Sequence, residues 1–306
     1  MNDISRVLIT GANGHLGRRL IGRFAPDTPV TAVVRSSAAR QVLESGEDAD
    51  LRVVELDYRD ADALGEAARG CAVAVHLVGI LKESATNRYV DAHERATAAL
   101  LVAARAQQLR RIVYVSILGS DAASPNAALA SKGRAERMLL EGGIPTVILR
   151  VPMVLGEDDY ASRALRRRAR SRFAILLRGA SLEQPIYAGD VVDAIVAGID
   201  YVGDGHLVLD LAGPESLPRA ELVRRAGSLI GNRPRCVSLP LAPVMGFAWL
   251  VERLLANPPV TPSMLGVLDH DDCIDPTAAA AKLGIRLTGL DAMLRRCVGA
   301  APAAPA

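Results

Sequence analysis

The chain has 306 residues, enough for one large α/β domain with a smaller second lobe. Half of them are hydrophobic and 23% are charged, a globular balance that excludes a largely disordered chain. A net charge of +2 gives no reason to expect nucleic acid as a partner.

With aromatics at only 3%, the core has to be built from Val, Leu, Ile and Ala. Cys71, Cys236, Cys273 and Cys297 lie far apart, with no C-x-x-C pair and no histidine at metal spacing. Free, mostly buried thiols in a reducing compartment are expected, and no metal site. A strand pattern begins within a few residues of Met1, so no signal peptide is expected. The most apolar run, Leu239 to Val251, contains Pro240 and Pro243 and is shorter than the roughly 20 residues of a membrane span. A cytoplasmic protein, at most peripheral to a membrane, is expected.

The first half alternates short β-branched runs with Ala/Leu/Arg-rich helical stretches. The strand at Val7–Thr10 is followed by a helix over Leu16–Phe24, then strands at Val30–Val34 and Arg52–Leu56. Next come a helix over Asp60–Arg69, a strand at Val73–Leu77, and a long helix over Asn87–Gln108. Ile112–Ser116, a helix over Leu129–Glu141 and Thr146–Leu149 complete the series. Such alternation predicts right-handed βαβ units, and continuous apolar strands fit a sheet covered on both faces. The expected fold is α/β, a Rossmann-type doubly wound parallel sheet with a smaller C-terminal α/β lobe. After Arg150 the pattern loosens. A short Ile186–Tyr187 strand leads to a helix that Asp190 is expected to cap, and a strand follows at Leu207–Leu211. The expected division is 1–155 for nucleotide binding, 156–300 for a partly interwoven lobe, and 301–306 as a disordered Pro/Ala tail.

The first strand runs straight into Gly11-Ala12-Asn13-Gly14-His15-Leu16-Gly17. Gly11 permits a tight turn, Gly14 removes a Cβ that would block a pyrophosphate, and Gly17 lets helix pack on strand. The helix N-terminus then offers free N–H groups to the phosphates. Thr10, Gly11, Asn13, Gly14, His15, Leu16 and Gly17 are therefore expected cofactor contacts. The second strand ends Val33-Val34-Arg35-Ser36, with no carboxylate to accept from a ribose 2′-hydroxyl. Arg35 can pair with a 2′-phosphate through its planar fork and Ser36 can add a hydrogen bond, which favours NADP(H) over NAD(H).

The G-x-x-G-x-x-G spacing after Thr10 resembles the short-chain dehydrogenase/reductase superfamily in its extended and atypical branches. The segments His76–Leu81, Tyr89–Thr97, Val115–Ser120, Ser131–Glu136 and Leu149–Gly156 narrow the resemblance. They look like the atypical reductases related to the nucleotide-binding accessory subunit of respiratory complex I and, more distantly, to NmrA-like proteins. The resemblance implies that Asp57 and Tyr58 lie near the adenine, Asp57 having helix capping as its other reading. It also implies Val78, Gly79, Val151, Pro152 and Met153 along the cofactor. Catalysis in the superfamily uses Tyr-x-x-x-Lys and a strand-borne serine. Lys132 and Ser116 match these roles, the lysine also binding the ribose, but the tyrosine position is Ala128. His76, His93, Tyr89, Tyr114 and Tyr160 are the substitutes considered, with His93 read first as a packed histidine.

Two stretches remain. Arg163, Arg166, Arg167, Arg168, Arg170, Arg172 and Arg178 form either a solvated face or a contact for anionic lipid or an acidic protein. Residues 240–255, with Met245, Phe247, Trp249, Leu250 and Leu254, form either packing for the lobe or a membrane or partner helix. The residues favour an NADP(H)-binding protein without the usual tyrosine, serving structure, assembly or redox sensing. The alternative is an active NAD(P)H-dependent reductase of a quinone or small carbonyl, with sugar-nucleotide epimerase or dehydratase action behind it.

Overall fold

The computed structural model describes residues 6–24, 28–44, 50–84, 86–254, 261–266 and 270–299. The tail expected at 301–306, residue 255 and the side chains of Phe247 and Leu250 lie outside that description. In chain order the first elements are β1 (Val7–Thr10), α1 (His15–Phe24), β2 (Val30–Val34), α2 (Ser37–Glu44), β3 (Leu51–Glu55), α3 (Ala61–Ala67) and β4 (Val73–His76). A π-helical turn (Val90–Arg95) then opens into α4 (Ala96–Ala106), followed by β5 (Arg111–Ile117), α5 (Ala127–Glu141) and β6 (Thr146–Val151). The next are β7 (Val154–Leu155), α6 (Tyr160–Arg170), β8 (Phe173–Leu177), β9 (Leu182–Glu183), β10 (Ile186–Tyr187), α7 (Ala188–Asp200) and β11 (Leu207–Asp210). Last come β12 (Leu217–Pro218), α8 (Arg219–Ser228), β13 (Arg235–Leu239), α9 (Leu241–Leu254), α10 (Pro262–Gly266), α11 (Thr277–Leu283) and α12 (Leu290–Val298). Two compact units emerge. The first holds Met1–Arg150 and Val192–Leu209, the second Val151–Val191 and Asp210–Ala306.

Among the described residues the first unit carries a seven-stranded sheet in the order β11-β6-β5-β4-β1-β2-β3. β1 runs parallel to both β2 and β4, so the chain order reverses on either side of β1. Loops leaving the C-terminal ends of two such strands diverge and open a crevice, the switch point where open α/β sheets bind ligands. One sheet face presents Leu8, Ala74, Ile112 and Ile148 to a core with Leu64 of α3, Leu100 of α4 and Leu139 of α5. On the other face Gly198 of α7 lies against Val113 and Val147, where an added Cβ would stand 3.2 Å from the Val147 side chain. Successive strand residues point to opposite faces, which is why 112 and 113 serve different layers. Ala96, Ala99, Ala103 and Ala104 let α4 pack closely, which is how an aromatic-poor chain fills its core.

In the second unit Leu165 of α6, Leu222 of α8 and Met293 and Leu294 of α12 enclose a core with Ala174 and Leu176 of β8. Arg166 is buried and donates to the Cys297 carbonyl at 2.7 Å, so it is not part of a solvated face.

Several expectations need correction. The helix expected over Asn87–Gln108 starts at Val90 as a π-helical turn, because Asn87 pairs with Ser84 in an isolated bridge. Asp190 does not cap α7, which begins two residues earlier. Its carboxylate instead accepts from the Thr288 N–H and hydroxyl, each at 2.7 Å. Helix α2 was not anticipated, although Ser36 before Ala38, Ala39 and Arg40 is a capping signal. Of the four free thiols only Cys71 and Cys297 are buried; Cys236 is half-buried and Cys273 exposed.

Candidate functional site

The crevice is formed where the loop after β1 meets the loop after β4. Gly11 has a φ of +75°, a conformation that favours glycine, and a Cβ there would stand 3.0 Å from the Leu77 carbonyl carbon. At Gly17 a Cβ would come within 2.4 Å of the Ala12 oxygen, so this position seats α1 against the turn. Asn13 and Gly14 stay exposed at the start of α1, with their side chains or lack of them turned to solvent, while His15 and Leu16 are half-buried. A helix start that follows an exposed glycine turn is a cradle for phosphate groups. The residues present therefore fit a dinucleotide.

Thr10 does not join that cradle. Its side chain is buried, with Oγ1 2.6 Å from His76 Nδ1, while His76 Nε2 lies 3.2 Å from the Thr97 hydroxyl. Burial pulls the His76 imidazole down to about 3, helped by the positive charge of Lys132. His76 is thus a neutral, bracketed core histidine.

At the adenine end, Arg35 is exposed and donates to Asn87 Oδ1 at 3.1 Å. The Ser36 oxygen accepts from the Ala39 N–H, capping α2 and leaving its own O–H to donate. Arg35 therefore stands at the positive N-terminal end of a helix, an arrangement that favours a phosphate monoester. Asp57 is held by its neighbour: Arg59 donates to it through the backbone N–H and the guanidinium, which lowers the carboxyl below its ordinary range. Asp57 is not the cap of α3; Asp60 is, accepting from Ala63 N–H at 3.0 Å. The Tyr58 hydroxyl donates to the Val33 carbonyl at 3.2 Å, and burial pushes the phenol up to about 12.

At the other end Val78 is buried and Gly79 exposed. A Cβ on Gly79 would meet Lys132 Nζ at 3.3 Å and His93 Nε2 at 3.6 Å, so both groups lie directly beneath this bare backbone. Lys132 donates to the Val115 carbonyl at 3.1 Å and sits 4.5 Å over the Tyr114 ring. Burial pulls its ammonium down to about 8, while Glu136 opposes the shift. Glu136 is itself held by Arg150, with Nη2 to Oε2 at 2.5 Å. Neither Glu136 nor Arg150 was singled out from the sequence, since nothing in their local pattern marks them.

Ala128 lies one helical turn before Lys132, so the two share a face of α5, but its methyl group is only 2% exposed. The Ser116 hydroxyl donates to Ser120 at 3.2 Å. His93 is buried, accepts from the Ile80 N–H at 3.2 Å, and is drawn down to about 3 by burial and by Lys132. It is a packed, neutral histidine. Tyr114 is sealed in the core, and the Tyr89 hydroxyl donates to the Leu81 carbonyl at 3.0 Å. Tyr160 is exposed and belongs to the second unit, as do Val151, Pro152 and Met153, where the Met153 carbonyl accepts from Ile186 N–H. Among the described residues no cluster of His, Cys, Asp and Glu could hold a metal ion, and no helix is long and apolar enough to cross a membrane.

Comparison with known proteins agrees with the geometry. The ceramide reductase of Caulobacter vibrioides is 28% identical over 286 residues, covering 90% of this chain and 88% of that protein. The mitochondrial 40 kDa subunit of NADH-ubiquinone oxidoreductase from Neurospora crassa is 24% identical, covering 90% of this chain and 74% of the subunit. Among solved structures, MoeE5 in complex with UDP-glucuronic acid and NAD superposes with a TM-score of 0.73 at 21% identity, covering 96% of this chain and 98% of that one. A family model described as NAD(P)H-binding matches residues 11–174, more than half of the chain and the whole of the crevice described above. This chain belongs to the NAD(P)H-binding family and has a Rossmann-type α/β fold.

Proposed function

We propose that the protein is an NADP(H)-dependent reductase of a carbonyl or quinone, with Lys132 in place of the missing phenol as proton donor. The observation that carries this reading is the buried Lys132 ammonium lying 3.3 Å beneath the position a side chain on Gly79 would take. Preference for NADP(H) over NAD(H) rests on Arg35 and Ser36 at the start of α2, with no carboxylate at the end of β2.

The turn from Gly11 to Gly14 and the start of α1 would hold the pyrophosphate, with Gly17 seating that helix, Arg35 and Ser36 the 2′-phosphate, and Lys132 the nicotinamide ribose. The bound reduced cofactor supplies a hydride. Lys132 Nζ, charged below a pKa of about 8, gives a proton to the substrate oxygen and recovers one from solvent. Ser116 orients that oxygen by hydrogen bonding. The names of the two relatives mention ceramide and ubiquinone, both lipids, which favours an apolar acceptor here. A contact through 163–178 and 240–255, with a protein or a membrane surface, belongs to the same reading.

A second reading rests on Ala128: its buried methyl leaves no acid one turn before the lysine, which suits a nucleotide held for structure, assembly or redox sensing. Consumption of NADPH by the purified protein against a panel of quinones and keto-lipids separates the two. The first reading expects turnover that declines as pH rises through about 8 and disappears in Lys132→Met. Tight NADPH binding with no turnover on any acceptor overturns it in favour of the second.

A further inference from the structure

The second unit holds a surface that the nucleotide site does not use. β8 and β13 pair in parallel, setting Phe173 beside Arg235, Ile175 beside Val237 and Leu177 beside Leu239. Their inner residues, Ala174 and Leu176, enter the second core. Alternation then turns the others outward, and Phe173, Ile175 and Val237 are 53%, 64% and 45% exposed, with Leu239 also exposed. An outward strand face is normally polar, so a contiguous row of large apolar side chains on it marks a contact surface.

The two stretches that build this face carry charge of one sign. No carboxylate occurs between Asp159 and Glu183, a stretch with seven arginines, or between Glu221 and Glu252, a stretch with four. Because the strands are parallel, both begin at the same end of the face. There Arg170, Arg172, Arg233 and Arg235 are all exposed, and among the described residues none is ion-paired. Arg172 stacks on the Phe173 ring at 5.6 Å. After Pro240, α9 continues the chain with half-exposed Trp249 under Arg253 at 4.0 Å and with exposed Leu254. Arginine and tryptophan beside exposed aliphatic groups match a boundary between lipid headgroups and acyl chains.

We propose that the β8–β13 face and its arginine rim dock the protein on an anionic bilayer. The inference rests on the partner reading of the second unit and makes no use of the nucleotide. Phe173, Ile175, Val237 and Leu239 enter the headgroup boundary, and the guanidinium groups pair with lipid phosphates. A second copy of the chain suits the face less well, since a symmetric contact would bring together two arginine sets while neither strand offers a carboxylate.

Co-sedimentation of the full chain with vesicles tests this, using phosphatidylcholine alone and an equimolar mixture with phosphatidylglycerol. Binding is expected on the mixture only, and is expected to weaken with added salt. Arg172→Gln with Arg235→Gln should lower the partition about fivefold per arginine. Ile175→Ser with Val237→Ser should lower it as well. Calorimetric titration with NADPH should give wild-type affinity for both double variants, which shows that they fold and separates this inference from the cofactor reading. Failure to sediment with anionic vesicles, or binding that neither double variant reduces, overturns the proposal. So does concentration-dependent self-association removed by the serine pair without any vesicle binding, which would assign the face to a second copy.

Discussion

Lys132 is a cation kept in the core beside an aromatic ring, and a buried ammonium is costly except where partners offset it, as the Val115 carbonyl and Glu136 do in part. Its folded pKa of about 8 lies below the ordinary 10.5, so between those values the unfolded chain binds more protons than the folded one. Stability should therefore rise with pH across that interval, and Lys132→Met should abolish the rise, as urea midpoints measured against pH would reveal. Arg35 is the opposite case, exposed and donating to Asn87. Arg35→Ala should weaken NADPH binding about 10–100-fold, the loss of a charge-assisted pair, and leave NADH binding nearly unchanged. Equal losses for both nucleotides in calorimetry would remove the argument for a 2′-phosphate. Both residues are legible in the sequence because the strand–loop–helix spacing fixes where they fall. Thr10 shows the limit: its hydroxyl faces His76, a neighbour supplied by β4, which no local pattern announces.

Among the elements, α1 carries two glycines with opposite environments. Gly17 has backbone 2.4 Å from the position of a Cβ, whereas Gly22 has open space around it. Gly17→Ala should cost about 1–3 kcal/mol and loosen the phosphate cradle, because the turn at Ala12 must move. Gly22→Ala should stabilise the helix by about 0.5–1 kcal/mol. Thermal and urea unfolding of the pair would check both signs, and equal effects would mean that α1 does not seat on the turn as described. Most elements of the first half were legible from their periodicity, and their ends shifted by only a few residues. The π-helical turn at Val90–Arg95 was not legible. It is held by Ser131 and Arg134 of α5, which both reach Glu94 in that turn at 2.7 and 2.9 Å.

For the molecule as a whole, two buried histidines contribute to the response to acid. His76 and His93 both sit at about 3 when folded, against 6.5 in a free chain. Below 6.5 the unfolded chain therefore binds protons that the folded one refuses. Stability should fall as pH drops from 6.5 toward 3, by up to about 1.4 kcal/mol per pH unit for each histidine. Denaturant titrations across that range should show the slope, and His93→Gln should reduce it by about half; a flat profile would mean that neither imidazole is held neutral. The sequence by itself determined the alternation of strands and helices, the glycine turn and the lack of a tyrosine before Lys132, since each depends on residues within a few positions. Tertiary structure alone decided that Thr10, His76 and Thr97 share a buried chain of hydrogen bonds, and that Lys132 lies under Gly79. It also decided that β8 pairs with β13 to leave an apolar face in solvent. Those arrangements join segments distant in the chain, and their partners are fixed by how helices and strands pack rather than by local preference.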